Sequence, residues 1–398
     1  MRRHLLPVCL LSLSACTAPS ADIPAPAAAV PAPAAIPVFD GHIDVLVHWA
    51  EPDYSGWKAL DAYDFTGGGD GQVDLPRLRR GGAIGGLFTI AALGDGDAAP
   101  RLDRAMEQLR GIAAQDATLV IADDIAALER AHAAGDIAVM PALEGAEQLG
   151  DGAPEALAGL ARETGLRSVA LTWSRTNAHG DAAGAEPQHD GLSASGEALL
   201  RSLQRAGVLV DLSHAADTTV RDAQRVAEAP LLFSHSSARA LCDSPRNLPD
   251  DLLREIAARG GLVMVTFVPY MTRTGYLRWY EAGEAEWARL KAAHGDDEAA
   301  ARTAMAAWEQ AYPAPAVGVA DVADHVEHVR RVAGLAHVGI GSDFDGMYSN
   351  VSGLADAGAY PALFAELRRR GWDDDALAQL GWLNFVRVAR AAEAFAAN

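Results

Sequence analysis

The chain has 398 residues, of which half are hydrophobic and 22% are charged, and its formal net charge is −20. This length and apolar content are sufficient for one large barrel domain with insertions or for two smaller domains. Because acidic residues outnumber basic ones and are spread along the chain, the composition argues against binding to nucleic acid or to an anionic membrane surface.

The first 37 residues have the composition of a targeting segment followed by a tether. Residues 1–15 begin with two arginines before a short apolar stretch, which predicts a signal peptide too short to span a bilayer. The run LSAC that ends at Cys16 resembles a bacterial lipobox, and a secretory signal without a lipid is the alternative. Residues 16–37 are rich in proline and alanine, as in an extended tether. We therefore expect a lipid on Cys16 as the only membrane attachment of an outer-membrane lipoprotein that faces the periplasm.

The cysteine count argues against an intramolecular disulfide bond. Removal of the signal peptide would leave Cys16 and Cys242. If Cys16 carries a lipid, Cys242 has no partner in the same chain. We predict that Cys242 is a small buried hydrophobic residue rather than a nucleophile.

Eight short apolar runs with β-branched residues predict eight strands within a domain that spans residues 38–398. Amphipathic helical patterns separate most of them, which favours a parallel sheet, and eight such units favour closure into a (β/α)8 TIM-like barrel. An open doubly wound sheet is the alternative, but no G-x-G-x-x-G turn follows the first strand. The predicted strands are 38–43, 84–91, 138–143, 168–172, 208–212, 231–234, 262–267 and 337–341.

Two stretches depart from the regular alternation. Residues 271–320 lengthen the connection between the seventh and eighth strands, and their pattern predicts a helical insertion at the mouth of the barrel. Residues 360–395 predict two or three helices that close the barrel.

Side chains that can bind a metal ion or move a proton follow five of the predicted strands. A (β/α)8 barrel builds its active site at this position, because its loops at one face bring distant strand ends together. One histidine after a strand is more often a loop residue, but that explanation weakens when several strand ends carry such side chains together. The candidates are His42, Asp44, Glu144, His214, His235 and Asp343.

The candidate ligands mix nitrogen and oxygen donors, which suits zinc, with manganese or cobalt as alternatives. His42 and Asp44 stand at positions i and i+2 of a strand, so both point to one face and can bind one ion. Glu144 can share its carboxylate oxygens between two ions, and His214 and His235 can complete the second site. Two ions would hold a bridging water, lower its pKa and polarise the scissile carbonyl.

Asp343 is the predicted proton carrier. It would take the proton from the attacking water and pass it to the leaving amine, as a general acid–base does. The residues alone therefore predict a metal-dependent hydrolase.

With these residues in this order, the chain resembles the membrane dipeptidase (renal dipeptidase) family, zinc peptidases of the amidohydrolase superfamily, from about residue 37 to the C-terminus. The segment at 231–252 is the most specific part of the resemblance. The matching segments are FDGHID, ALEG, GVLVDLSHAAD, FSHSSARALCDSPRNLPDDLL, VGIGSDFDG and YPALFAELRRRGW.

The resemblance implies a dinuclear zinc site on the five candidate ligands, with Glu144 shared between the ions. It implies that Arg246 binds the C-terminal carboxylate of the substrate, which suits a guanidinium fork, and that Asp343 is the acid–base residue. Its implied substrates are dipeptides, including those with a D-residue or a dehydro-residue on the C-terminal side. Members are often dimers, so a homodimer is an expectation here.

One position departs from the family pattern. Members commonly have a substrate-contacting histidine directly after L-T at the end of the fourth strand, where this chain has Trp173. Tryptophan donates one indole N–H and cannot act as a cation, so stabilisation of the carbonyl oxygen is in question. Asn177 or His179 in the following loop are candidate replacements.

Three functions follow from these observations. The first is a zinc dipeptidase. The second is another amidohydrolase reaction on the same metals, such as N-acyl-D-amino-acid deacylation or lactam opening. The third is a surface lipoprotein that keeps the barrel as a binding scaffold without catalysis; Trp173 favours it, and the intact set of metal ligands with Asp343 opposes it.

Overall fold

In a computed structural model, parallel strands follow one another around a nearly closed barrel. The strands are β1 (Val38–Ile43), β2 (Ala83–Ala91), β3 (Leu119–Ile121), β4 (Ile137–Glu144), β5 (Ser168–Ala170), β6 (Leu209–Asp211), β7 (Leu232–Ser236), β8 (Leu262–Val265) and β9 (Val338–Ile340). Their order in the sheet is β1-β2-β4-β5-β6-β7-β8-β9, and β3 pairs with β4 off this path. The (β/α)8 prediction is therefore confirmed. The strand β3 was not predicted; it is only three residues long.

The structure describes most of the chain from residue 35 onward. Residues 35–398 form one unit. The predicted signal peptide, Cys16 and most of the predicted tether lie outside the described residues. Within the described part of the chain, no helix has both the length and the apolar character needed to cross a bilayer. The described ranges are 35–50, 64–67, 69, 71–91, 99–150, 152–295, 297–347 and 349–398.

Helices cover the outside of the barrel and its ends. Several begin at a side-chain cap; Asp124, for example, accepts a hydrogen bond from the backbone N–H of Ala127. The helices are α1 (Val45–Ala50), α2 (Leu75–Gly81), α3 (Ala99–Gln115), α4 (Ile125–Ala134), α5 (Pro154–Glu163), α6 (Ala194–Arg205), α7 (Asp217–Val226), α8 (Asp250–Ala258), α9 (Pro269–Thr272), α10 (Thr274–His294), α11 (Glu298–Ala311), α12 (Val319–Ala333), α13 (Tyr360–Arg369), α14 (Asp374–Ala378) and α15 (Asn384–Ala396).

Short helical segments of other types complete the described chain. Three are 3₁₀ helices, at Ala146–Leu149, Leu335–His337 and Ala357–Ala359, and one is a π-helix, at Gln379–Leu383. The predicted insertion between the last two barrel strands is present as α9, α10, α11 and the start of α12. The predicted C-terminal helices are α13 to α15.

The strands are buried on both faces because helices lie outside the barrel and side chains fill its interior. Successive residues of β8 alternate between the two hydrophobic clusters of the fold: Val263 and Val265 belong to one, whereas Leu262 and Met264 belong to the other. The second cluster continues onto α15, where the ring of Phe385 stacks on Phe39 of β1 with 3.9 Å between ring centroids. Both faces of each strand must therefore be apolar, which explains why the strands read as near-continuous hydrophobic runs.

The first and last barrel strands meet at their carboxyl ends. Ile43 forms a parallel bridge with Phe344, and the backbone N–H of Asp44 donates to the carbonyl of Phe344 at 3.0 Å. The N–H of Asp343 donates to the carbonyl of His42, also at 3.0 Å. This closure brings Asp343 beside His42 and Asp44, although these residues lie some three hundred positions apart.

Candidate active site

The predicted site residues converge at the carboxyl ends of the strands. His42 lies in β1, Glu144 ends β4 and His235 lies in β7. Asp44 directly follows β1, while His214 and Asp343 stand three residues after β6 and β9. All six of these side chains are buried.

The cluster is centred on one carboxylate oxygen, Oε1 of Glu144. Nε2 of His214 lies 2.8 Å from it, Nε2 of His235 lies 3.3 Å from it, and Nε2 of His42 lies 3.7 Å from it. On the other side of His42, the same Nε2 is 3.5 Å from Oδ1 of Asp44. Donor atoms from four separate strands therefore surround a single small volume.

Three groups of ligand-capable atoms lie in this region, and in each the atoms are within 4.8 Å of one another. One contains Glu144, His214 and His235, and another contains His42, Asp44 and Asp343. The third contains His42, Asp211 and His235. Glu144 also reaches His42, so it joins the first two groups.

The residues present fit bound cations. Nε2 of His42, Oδ1 of Asp44 and Oε1 of Glu144 are buried and have no hydrogen bond of suitable geometry within the described structure. Such atoms cost roughly 1–3 kcal/mol each when they are left without a partner. Ligation of a metal ion satisfies imidazole nitrogens and carboxylate oxygens together, as a mixed N/O site for zinc requires.

The charges at the site favour a cation as well. Burial opposes protonation of His42, but the carboxylates of Asp44 and Glu144 outweigh it and raise the pKa of His42 to about 10. Burial alone would raise the pKa of Glu144, yet the rings of His214 and His42 hold it at about 2. The carboxylates of Asp44 and Glu144 therefore stabilise a positive charge in the site, as they would stabilise a bound metal ion.

The remaining two histidines are held neutral. Burial and then the nearby Arg246 lower the pKa of His214 to about 4. Burial, His42 and Arg246 lower the pKa of His235 well below its ordinary value. Neutral imidazole is the form that binds metal ions.

Asp343 has the proton affinity of an acid–base residue. Burial raises the pKa of its carboxyl group to about 8, the carboxylates of Asp44 and Glu144 add to this effect, and His42 opposes it. A carboxyl group with a pKa near neutrality can both accept and donate a proton at physiological pH.

Asp343 and His214 also have positive φ angles, 66° and 73°, which residues other than glycine seldom adopt and which occur preferentially at functional sites.

Arg246 reaches the cluster from the loop after β7. Its Nη2 lies 2.8 Å from Nε2 of His235, and its buried Nε has no partner within the described structure. A second arginine that sequence reasoning missed holds this loop: Arg239 forms a bidentate pair with Asp217 at 2.6 and 2.8 Å and donates to the carbonyls of Pro245 and Asn247, on either side of Arg246.

Trp173 and Asn177 lie in the loop that follows β5. The half-buried ring of Trp173 faces His214, with 6.5 Å between ring centroids. Asn177 donates through Nδ2 to Glu147 at 2.6 Å and to the carbonyl of Leu171 at 2.9 Å. Both of its amide hydrogens therefore hold the loop, and a contact of Asn177 with substrate stays a prediction.

The structure adds two polar residues that the sequence analysis did not select. Asp40 is fully buried; its Oδ1 accepts the N–H groups of His42 and Ser342, and its Oδ2 accepts the hydroxyl of Tyr360 at 2.5 Å. The D-x-H-x-D alternation in β1 is the signal that could have indicated Asp40. Tyr270 of α9 lies near Arg246, and burial raises the pKa of its hydroxyl to about 12. A single tyrosine in an insertion carries no comparable signal.

Other conspicuous side chains have structural roles. Cys242 is buried, as predicted, and its Sγ donates to the carbonyl of Tyr270 at 3.3 Å. His179 lies 3.3 Å from the hydroxyl of Ser195 through Nδ1. His325 is buried in α12, where Nδ1 accepts the N–H of Ala238.

Comparisons with known proteins place the chain in one family. The family model for membrane dipeptidases (peptidase family M19) matches residues 28–398. The dipeptidase aclJ of Aspergillus oryzae is 32% identical over 368 residues, which cover 89% of this chain and 77% of that protein. The dipeptidase verJ of Clonostachys rogersoniana is 31% identical, with 90% and 84% covered.

A solved structure shows the same similarity. A metallo peptidase from Rhodobacter sphaeroides, determined with a phosphinate mimic of the dipeptide L-Ala-D-Ala, superposes with a TM-score of 0.71 at 26% identity. The match covers 90% of this chain and 99% of that one. With its barrel, its buried cluster of metal-binding side chains and this match over nearly its whole length, the chain belongs to the membrane dipeptidase family, the metal-dependent hydrolases that cleave peptide bonds.

Proposed function

We propose that this enzyme binds two zinc ions at the carboxyl ends of its barrel strands and hydrolyses dipeptides, including those with a D-residue on the C-terminal side. The observation that carries the proposal is the convergence of three buried atoms without hydrogen-bond partners, on His42, Asp44 and Glu144, with two neutral histidine rings. Mn²⁺ or Co²⁺ suits the same mixture of nitrogen and oxygen donors.

The ligand set divides around Glu144. His42, Asp44 and Glu144 would hold one ion, and Glu144, His214 and His235 would hold the other. All three rings lie within 3.7 Å of Glu144 Oε1, so this carboxylate can take part in both sets. A pair of ions at this place supplies activation of a shared water and polarisation of the scissile carbonyl.

Asp343 supplies proton transfer in this proposal. Its carboxyl group lies beside His42 and Asp44 and has a pKa of about 8, so it is partly protonated at neutral pH. It takes a proton from the water that attacks the carbonyl carbon, and it delivers a proton to the amine nitrogen as the C–N bond breaks.

Arg246 binds the C-terminal carboxylate of the dipeptide. Its guanidinium lies against the candidate metal ligand His235 and keeps one buried donor, Nε, without a partner in the described structure. A guanidinium offers parallel donors that match a carboxylate. Acceptance of a D-residue next to this carboxylate is supported by the Rhodobacter sphaeroides relative, whose structure holds a mimic of L-Ala-D-Ala.

Trp173 replaces the histidine that other family members commonly place near the carbonyl oxygen of the substrate. Its ring stands next to His214, at a position where a donor toward the substrate is expected from the family pattern. Because indole is a single neutral donor, we propose slower turnover than in relatives with histidine. Both amide hydrogens of Asn177 are engaged, so His179 is the remaining candidate donor of the loop.

The location of the enzyme is proposed from the N-terminal sequence. A lipid on Cys16 and the Pro/Ala-rich tether would keep the barrel at the periplasmic face of the outer membrane. The proposal predicts that Cys16→Ser, expressed with its own signal, moves from the membrane fraction to the soluble periplasmic fraction. Continued membrane association would contradict it. Sedimentation of the detergent-solubilised protein tests the proposed homodimer.

Metal analysis combined with a substrate panel tests the proposed activity. We expect close to two zinc ions per chain and hydrolysis of L,L- and L,D-dipeptides that stops on chelation and returns on addition of metal. N-acyl-D-amino acids and a β-lactam belong in the same panel, because faster turnover of either would show the other amidohydrolase chemistry. A metal-free enzyme with full activity would contradict the mechanism.

A further inference from the structure

The hydroxyl group of Ser234 lies between two histidines that the proposed function assigns to different metal ions. Its Oγ is 2.9 Å from Nδ1 of His235 and 3.1 Å from Nδ1 of His42. On its third side it is 2.5 Å from Oδ2 of Asp211. All four side chains are buried, so water does not compete for these contacts.

The direction of each hydrogen bond follows from counting protons. Asp211 accepts two backbone N–H groups through Oδ1, from Ser213 at 2.9 Å and from Ser234 at 3.0 Å, so its carboxylate is an acceptor in this network. The one hydroxyl proton of Ser234 therefore goes to Asp211 Oδ2. Two lone pairs remain on Ser234 Oγ, and each can accept one N–H. The hydroxyl of Ser213, at 3.3 Å, is the most distant of its neighbours.

The tautomer of His235 is set independently from the opposite side of the ring. Arg246 Nη2 lies 2.8 Å from Nε2 of His235, and a guanidinium can only donate. Nε2 of His235 therefore carries a lone pair, and the ring proton is on Nδ1, directed at Ser234. The other group near Nδ1 of His42 is the hydroxyl of Thr89, at the longer distance of 3.5 Å.

We infer that Ser234 and Asp211 are positioning residues that hold both rings with the proton on Nδ1, so that Nε2 of each ring is free for a metal ion. This inference rests on the proposed two-ion function. One hydroxyl then orients a ligand of each ion, and both sites depend on one Asp–Ser pair. Outer partners of this kind fix ring orientation and raise the basicity of the ligand nitrogen.

Asp211 has a competing explanation. Its carboxylate, together with His42 and His235, forms a group of ligand-capable atoms within 4.8 Å, so it could be a metal ligand itself. The hydrogen bonds argue against this, because both oxygens of Asp211 already accept hydrogen bonds, from Ser213 and from Ser234. The neighbouring oxygens that lack partners are those of Asp44 and Glu144.

Removal of the hydroxyl tests the shared role. In Ser234→Ala we expect the dissociation constants of both zinc ions, measured by competition with a chromophoric chelator, to rise by about 10- to 100-fold. Ser213→Ala is the matched control: it deletes an equally buried hydroxyl that accepts the backbone N–H of His235 but contacts neither ring. Its two dissociation constants should stay within about threefold of wild type, since the ring contacts persist.

Asp211→Asn is a sharper test because it reverses the direction of the hydrogen bond between residue 211 and Ser234. The amide oxygen would keep the two backbone N–H groups, and the amide NH2 would donate to Ser234. The proton of Ser234 would then turn to one of the rings, which must carry its own proton on Nε2 and cannot bind a metal ion. We expect this nearly isosteric variant to retain about one zinc ion per chain where wild type retains two.

Several outcomes would overturn the inference. They are two tightly bound ions in Asp211→Asn, unchanged affinities in Ser234→Ala, weakening of only one ion in Ser234→Ala, or weakening in Ser213→Ala as large as in Ser234→Ala. If a variant does not fold by circular dichroism, nitrogen-15 NMR of zinc-loaded wild type with labelled histidine decides: we expect protonated Nδ1 on His42 and His235, and protonated Nε2 on either ring would overturn it. Wild type is measured first, because failure to bind two ions refutes the proposed function instead.

Discussion

Nη2 of Arg246 lies 2.8 Å from Nε2 of His235, which joins the proposed carboxylate-binding residue to a proposed metal ligand. One ring nitrogen cannot accept a hydrogen bond from the guanidinium and bind a metal ion at the same time. In the proposed two-ion enzyme, ligation of His235 would therefore release a donor of Arg246 at the edge of the cluster of candidate ligands. Metal binding would in this way prepare Arg246 to bind the carboxylate of a dipeptide.

Replacement of Arg246 should weaken substrate binding more than metal binding. A charge-assisted hydrogen bond contributes about 1.5–3 kcal/mol, so we expect Arg246→Lys, which keeps the charge but loses the fork, to raise KM for a dipeptide by about 10- to 100-fold. Zinc content should stay at the wild-type value. Arg239→Lys is the control for the loop: it should give a smaller rise in KM with the same metal content. An unchanged KM in Arg246→Lys would remove Arg246 from this role.

Asp343 and Glu144 should differ in what their replacement removes. Asp343→Asn deletes proton transfer without removing a proposed ligand, so we expect two bound zinc ions and a fall in kcat of about 10²- to 10⁴-fold. Glu144→Ala removes the shared carboxylate, so most of the metal should be lost as well. Elemental analysis and steady-state kinetics on the same preparations separate the two effects. Full turnover in Asp343→Asn would assign proton transfer to another group.

Trp173→His restores the side chain that the family commonly has at the end of the fourth barrel strand. An imidazole can direct a stronger donor at the developing negative charge on the substrate oxygen, and loss of one such donor typically costs about 10²- to 10³-fold in kcat. We expect Trp173→His to raise kcat for dipeptides at least several-fold. Trp173→Phe keeps an aromatic ring without a donor and should not raise kcat. Equal gains in both variants would show that ring size limits the reaction.

The pair formed by Tyr360 and Asp40 should contribute to stability through closure of the barrel. Tyr360→Phe leaves Oδ2 of a buried carboxylate without its hydroxyl donor, which we expect to lower the free energy of unfolding by about 1–3 kcal/mol in urea titrations. Tyr312 is 61% exposed, so Tyr312→Phe should change stability by less than about 0.5 kcal/mol. Equal effects of the two substitutions would contradict a role for the buried pair.

The thiol of Cys242 should be unreactive in the folded enzyme. Burial raises its pKa to about 11, and only the thiolate reacts with iodoacetamide. At pH 8 we expect the peptide containing Cys242 to stay unmodified in native protein and to be alkylated completely after denaturation, as measured by mass spectrometry. Raising the pH toward 11 while the protein stays folded should increase the rate. Rapid labelling at pH 8 would show that the thiol is accessible.

Much of the fold was predictable because strong local patterns encode it. Buried parallel strands are apolar on both faces, so they can be read as short hydrophobic runs, and the helices between them have an amphipathic period. The strand β3 was missed because three residues, of which only Leu119 is fully buried, carry too little of that pattern. The insertion between β8 and β9 was predicted from its length and its helical composition.

The candidate site divides in the same way. The candidate ligands and the acid–base residue could be predicted from the sequence, because each is a histidine, aspartate or glutamate at the end of a predicted strand. Which of these groups are in contact follows from the folded arrangement of the strands. This arrangement placed Asp343 beside His42 through closure of β1 onto β9, and Arg246 against His235.

The hydrogen bonds that link Asp211 through Ser234 to the candidate ligands could not be predicted from the sequence. Ser234 and Asp211 are ordinary residue types at ordinary positions, and their importance comes from distances of about 3 Å between strands that are not defined until the barrel closes. Local patterns were thus sufficient to predict the barrel, the family and the set of candidate ligands. The direction of each proton in the cluster was decided by tertiary structure, because it depends on which donors and acceptors meet in a space that excludes water.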